Sequence, residues 1–302
     1  MQTMKSEQQG NPMKNWLREK ARITKEAATS LISLMPPWLY LQMRWWAYCQ
    51  FHSKETIQAA QAQRTITTSE GWSLKPFDDT KAIFVHIPKC AGDSVSRTLF
   101  GNLSGGHTPF DQYLNIFEPK CIASYFKFAI VRNPWDRLVS DYHYLKNGGY
   151  RGNDGHRNWF NAELGGFKDF DEFVRGWLNK ENIWKLDHLR PQYHYLLERR
   201  GKVDLDFIGF FENLQEDFRH IRERLGIDCE LQHANKSEHK DYKSYYSEDT
   251  KRIVAEVYDS DIKLLGYNFD NSSVPAQLAR RSAGRVLDLT APGLHQGSVP
   301  DF

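Results

Sequence analysis

Apolar residues in this chain fall into short runs separated by stretches with helical spacing. KAIFVHI, residues 81–87, is brief, apolar and β-branched, as a strand covered on both faces should be. SYFKFAIV, 124–131, repeats that pattern, and DLDFIGFFENLQEDFRHIRERLG reads as strand, turn and helix with Gly226 at the C-cap. VSRTLFG predicts a short helix ending at Gly101. PWDRLVSDYHYLKN predicts a longer one, capped by Asn133, opened by Pro134 and stopped at Gly148-Gly149. In FKDFDEFVRGWLN, residues Phe167, Phe170, Phe173, Val174, Trp177 and Leu178 share a helical stripe that belongs in a core. SEDTKRIVAEVYDSDIKLLG reads as one further helix begun by Ser247. Residues 150–166, rich in Gly, Asn and Asp, read as a loop, and 52–80 as a polar connection. Strands alternating with helices imply an α/β fold: a P-loop-like parallel sheet flanked by helices. The expected organisation is an N-terminal helical extension and linker over 1–80, a main domain over 81–270 and a mobile tail over 271–302.

Composition narrows the classes. At 302 residues and 40% hydrophobic content, the chain can bury a sizeable core. Forty basic side chains against 38 acidic ones leave a net charge of +2, which argues against a general nucleic-acid binder, so any anion site is local. Cys49, Cys90, Cys121 and Cys229 are scattered without close pairs, which gives neither a disulfide framework nor a zinc site and suits a reducing compartment. Residues 1–28 are polar and charged, without the apolar stretch of a secretory signal. LISLMPPWLYLQMRWWAYCQF, 31–51, is broken by Pro36-Pro37 and carries Arg44, too interrupted for a membrane span of about 20 residues. An N-terminal helical hairpin packed on the main domain is expected there, although its aromatics could also rest on a membrane surface. The expected location is cytoplasmic, free or membrane-associated.

The candidate chemistry begins at HIPKCAGDS, 86–94, directly after the first strand. Lysine, glycine and serine in a strand-to-helix loop suit an anion, because N–H groups at a helix start face it and the lysine adds charge. The order P-K-x-x-G-x-S is not that of a nucleoside-triphosphate loop, and no acidic residue stands ready to hold magnesium. A second anion contact follows the second strand, where Arg132 lies at the carboxyl tip and Ser140 two turns along the next helix. Two such sites on neighbouring strand ends suit a nucleotide with phosphates at both ends of its ribose. No metal is expected.

FVHIPKCAGDS and VRNPWDRLVSDY together resemble the two cofactor motifs of the carbohydrate sulfotransferase group that includes heparan sulfate 2-O-sulfotransferase. The resemblance runs through LRPQYHYLLERRGKVDLDFIGFFENLQEDF and HANKSEHKDYKSYYSEDT, about residues 81–269. It implies 3'-phosphoadenosine 5'-phosphosulfate as cofactor and a hydroxyl, in this group usually on a saccharide, as acceptor. It also implies that Lys89, Cys90, Ala91, Gly92, Asp93, Ser94 and Val95 form the 5'-phosphosulfate loop, and that Arg132 and Ser140 bind the 3'-phosphate. His107 stands where the resembling enzymes place a histidine base, beside Lys89 as the second catalytic group. Arg190, Gln192 and Tyr193 could face the acceptor, or simply form a helix entry. His86 is expected to be structural, and His143, His188 and His194 structural or acceptor-contacting. Asp93 departs from the family's usual threonine, and its expected role is a helix N-cap. Two other classes stay open: a nucleotide phosphotransferase, which would depend on magnesium, and a nucleotide-binding protein without turnover.

Overall fold

The computed structural model describes residues 35–69, 71–149, 154–232 and 240–282. Of the expected N-terminal helical extension, residues 1–34 lie outside them. The chain enters through helices α1 (Pro37–Phe51), α2 (Lys54–Ala62) and α3 (Lys75–Thr80). Strand β1 (Ala82–Val85) follows, then α4 (Gly92–Phe100), α5 (Phe110–Ile116), α6 (Pro119–Ser124) and β2 (Phe126–Val131). Next come α7 (Pro134–Lys146), α8 (Asp154–Glu163), α9 (Phe170–Gly176), short 3-10 turns at Asn182–Trp184 and Asp187–Leu189, and α10 (Gln192–Leu196). Strand β3 (Phe207–Phe210) leads into α11 (Leu214–Leu225), and α12 (Glu248–Val257), α13 (Asp259–Leu265) and α14 (Val274–Ser282) close the described chain.

The three strands form a parallel sheet in the order β1–β2–β3, with Val85 opposite Ala129 and Val131 opposite Phe210. Every residue of β1 is buried, which is why its sequence is uniformly apolar rather than alternating. A second cluster of buried side chains joins α7 to α9 and α12; it contains Phe170, Phe173, Val174, Trp177 and Leu178, with Phe167 packed against it, so the aromatic stripe is core. The predicted end signals hold: Asn133 accepts the N–H of Trp135, Gly101 and Gly226 adopt left-handed C-caps, and Ser247 makes a capping box with Thr250.

Four expectations change. Within the polar connection lie two helices, α2 and α3; Arg64, just past the end of α2, pairs with Asp78 of α3 and with Glu118, both at 2.8 Å. The expected loop over 150–166 contains α8. The single helix begun by Ser247 is broken at Tyr258 into α12 and α13. The tail expected from residue 271 starts with α14, where Arg281 pairs at 2.6 Å with Asp217, a side chain only 1% exposed. At the other end, Arg44, which disqualifies 31–51 as a membrane span, fastens α1 to α5 through Asp111 at 2.6 Å. Among the described residues no helix is long and apolar enough to cross a membrane.

Candidate functional site

The carboxyl end of β1 runs into a tightly wound loop. Lys89 and Ala91 hold left-handed φ angles of 64° and 63°, costly for residues with a β-carbon. Gly92 passes over the His86 ring so closely that a β-carbon there would lie 1.8 Å from His86 Cδ2, so only glycine fits. No side chain caps α4, which leaves the orphan N–H groups of its first turn to solvent or an anion. Asp93 is therefore not the expected cap. It sits inside the first turn, its carboxylate 3.8 Å from His86 Nε2. The Lys89 ammonium lies 4.0 Å from the centre of the Tyr144 ring. Burial pulls its pKa down, Arg132 adds to the effect and Asp141 opposes it. Cys90 points inward, with Sγ 3.5 Å from Gln192 Oε1, and burial raises its thiol pKa, so only its backbone can serve the loop. Ser94 is half-buried in the first turn of α4 and Val95 is fully buried behind it.

Arg132, at the end of β2, joins the two strand ends. Its guanidinium donates to the Lys89 carbonyl at 2.9 Å and to Asp136 at 2.8 Å, and lies over the Phe211 ring at 4.0 Å. Ser140 is buried on α7. Gln192, expected at the acceptor, is 0% exposed: its amide accepts from Arg132 N–H at 2.9 Å and donates to the Arg132 carbonyl at 2.8 Å. Such a side chain positions the β2 end and reaches no acceptor. Arg190 and Tyr193 remain half-buried.

Beside the loop lies a cluster of imidazoles. The His107 ring packs edge-to-face against His86 at 4.8 Å and against His188 at 4.9 Å. His107 Nδ1 sits 3.1 Å from Asp187 Oδ2, and His188 Nδ1 sits 3.1 Å from Asp141 Oδ1. His188 also stacks on Tyr144, the ring beneath Lys89, at 4.9 Å. The turn carrying Asp187 and His188 is held through its carbonyls: Arg137 donates to those of His188 and Arg190, Tyr195 to that of Asp187 and Tyr258 to that of Leu189. Burial alone would raise the Asp187 carboxyl, but the His107 hydrogen bond and the two neighbouring imidazoles hold it well below the usual carboxylate range. Burial lowers the pKa of His86 and His188, in the latter against the pull of Asp141. His143 instead packs on Tyr245 at 5.1 Å, and His194 on Trp184 at 5.3 Å.

The sequence reading therefore brings Lys89, Arg132 and His107 to one end of the sheet and misses Asp187, Asp141 and Tyr144. Asp187 and His188, adjacent in DHLRPQ, supply one member to each dyad. His107, Asp187 and His188 offer ligand atoms within 4.8 Å of one another, a metal-competent grouping that the absence of sequence spacing conceals. A surface groove lined by Lys81, Tyr125, Asp206, His220 and Arg224 lies at the opposite, amino end of the strands.

The sulfotransferase family profile matches residues 73–268. The chain is 25% identical to carbohydrate sulfotransferase 14 of Danio rerio over 272 residues, covering 72% of this chain and 71% of that protein. It is 37% identical over 113 residues to an uncharacterized protein of Archaeoglobus fulgidus, covering 37% of this chain and 77% of the other. No solved structure matches.

Proposed function

This chain belongs to the sulfotransferase family, and on that premise we propose that it transfers a sulfuryl group from 3'-phosphoadenosine 5'-phosphosulfate to a carbohydrate hydroxyl. The observation that carries this reading is the convergence of an uncapped helix start, Lys89 and Arg132 beside the His107–Asp187 pair, all at the carboxyl end of a parallel sheet. A wound backbone loop with orphan N–H groups and two cations fits a donor with anionic groups at both ends. The donor, when bound, supplies an activated sulfuryl group and a phosphate leaving group.

Lys89 and the backbone from Cys90 to Val95 hold the 5' end and offset the charge that develops there. Arg132, with Ser140, holds the 3'-phosphate; Asp136 and the Lys89 carbonyl fix the guanidinium in place. Asp187 accepts the Nδ1 proton of His107, which leaves the Nε2 lone pair to take the acceptor's proton. Arg190 and Tyr193 contribute to acceptor binding. The carbohydrate assignment draws on what the Danio rerio relative's name says it acts on.

Calorimetry tests the donor assignment. Arg132→Ala should weaken 3'-phosphoadenosine 5'-phosphate by about 1.5–3 kcal/mol, the range for a charge-assisted contact, and adenosine 5'-phosphate far less. Because Arg132 also braces the Lys89 loop, some loss for both ligands is expected; equal loss for both would remove the 3'-phosphate role. Labelled donor offered to a panel of saccharides then tests the acceptor class.

A further inference from the structure

We propose that His107, Asp187 and His188 form a binding site for one divalent first-row transition-metal ion, with Zn2+ or Co2+ as its natural probes. The three side chains present two imidazole nitrogens and a carboxylate oxygen mutually within 4.8 Å. That donor set, two histidines and one carboxylate with open positions left for water, suits Zn2+ and its neighbours rather than magnesium or calcium. The arrangement around the ligands points the same way. Asp141 engages His188 Nδ1 at 3.1 Å, which leaves Nε2 as the ligating nitrogen, as a carboxylate behind a metal-binding imidazole does. The turn that carries two of the three ligands is held at four carbonyls by Arg137, Tyr195 and Tyr258. Asp187 and Asp141 offset the ion's charge beside Lys89.

The site is distinct in kind from the sulfotransfer chemistry, which needs no metal. It has a consequence for that chemistry: an ion held by His107 occupies the imidazole proposed as base. Metal binding is then inhibitory, a clause that rests on the proposed function, whereas binding itself does not.

The test uses the full chain and Co2+. One equivalent should bind with the visible d–d absorption of a low-symmetry nitrogen and oxygen site, and Zn2+ should displace it. No thiolate-to-metal charge-transfer band should appear, which separates this site from the partly exposed Cys49 and Cys229. His107→Ala and Asp187→Asn, both at partly exposed positions that should tolerate change, should each weaken Co2+ by more than about 100-fold, since losing even an outer carboxylate costs about 10–100-fold. His220→Ala should leave binding unchanged. Unaltered affinity in both cluster variants overturns the proposal, as does a cysteine-type spectrum or the absence of any bound ion. Zn2+ that binds here without slowing transfer would leave the site standing and count against His107 as the base.

Discussion

Single side chains divide the labour at this site by how deeply they lie. His86 is buried, stacked on Phe84 and pushed toward neutrality by burial first and by the nearby Lys89 charge, so it lines the loop rather than exchanging protons. His107 keeps 25% of its side chain exposed and has an aspartate to fix its tautomer, which are the two things a general base needs. His107→Ala should therefore lower turnover by about 10²–10⁴-fold while leaving nucleotide affinity near that of the parent. Asp187→Asn keeps the shape of the pair but loses the carboxylate that accepts the Nδ1 proton; turnover should fall while the donor's KM stays unchanged. Initial rates with labelled donor decide this, with His86→Ala and His143→Ala assayed alongside. Parent-like turnover in His107→Ala together with collapse in either rival would move the base elsewhere.

Elements tell a second story, in which short-range signals hold and long-range ones are silent. The strands are legible because burial on both faces makes their sequence uniformly apolar, and Lys89 and Arg132 are legible because each closely follows such a run. Caps at Asn133, Gly101, Gly226 and Ser247 act over a few residues and were equally readable. Helix α8 escapes notice because its exposed face is polar and its one buried side chain is Phe160. The dyads escape for another reason: His107 and Asp187 lie 80 residues apart, and Asp141 and His188 lie 47 apart, so no local spacing links them. Helix α14 shows the same blindness, because its deepest tie is the contact from Arg281 to Asp217, 64 residues away. Removing that guanidinium strands a carboxylate that is 1% exposed, yet Asp217 keeps the Phe210 N–H and the Asn213 amide as donors. Arg281→Ala should thus cost about 1–3 kcal/mol in urea unfolding, below the cost of a wholly orphaned buried charge. A loss within error would mean that α14 is not integral to the fold.

At the scale of the whole molecule, the chain concentrates imidazoles whose charged form burial disfavours. Burial lowers the pKa of His86, His156 and His188, and with the charge of Arg190 it takes His194 down to about 4. In the unfolded chain each returns to the ordinary value near 6.5, so below about pH 6.5 the unfolded state takes up protons that the folded state refuses. The sign follows: these groups leave stability untouched above that pH and erode it progressively as the pH falls through it. Glu212 and Asp261, whose carboxyls burial pushes up, act in the opposite sense, so the parent's overall slope mixes the two. A single-residue comparison separates them. His194 packs against Trp184 and Tyr195, a setting that phenylalanine can fill. His194→Phe should lose about 1–2 kcal/mol less than the parent on going from pH 7.5 to pH 5, the amount that its depressed pKa transfers across that window. Urea unfolding at the two pH values, without nucleotide, reads the difference directly. Identical losses in the two proteins would show that His194 titrates alike folded and unfolded.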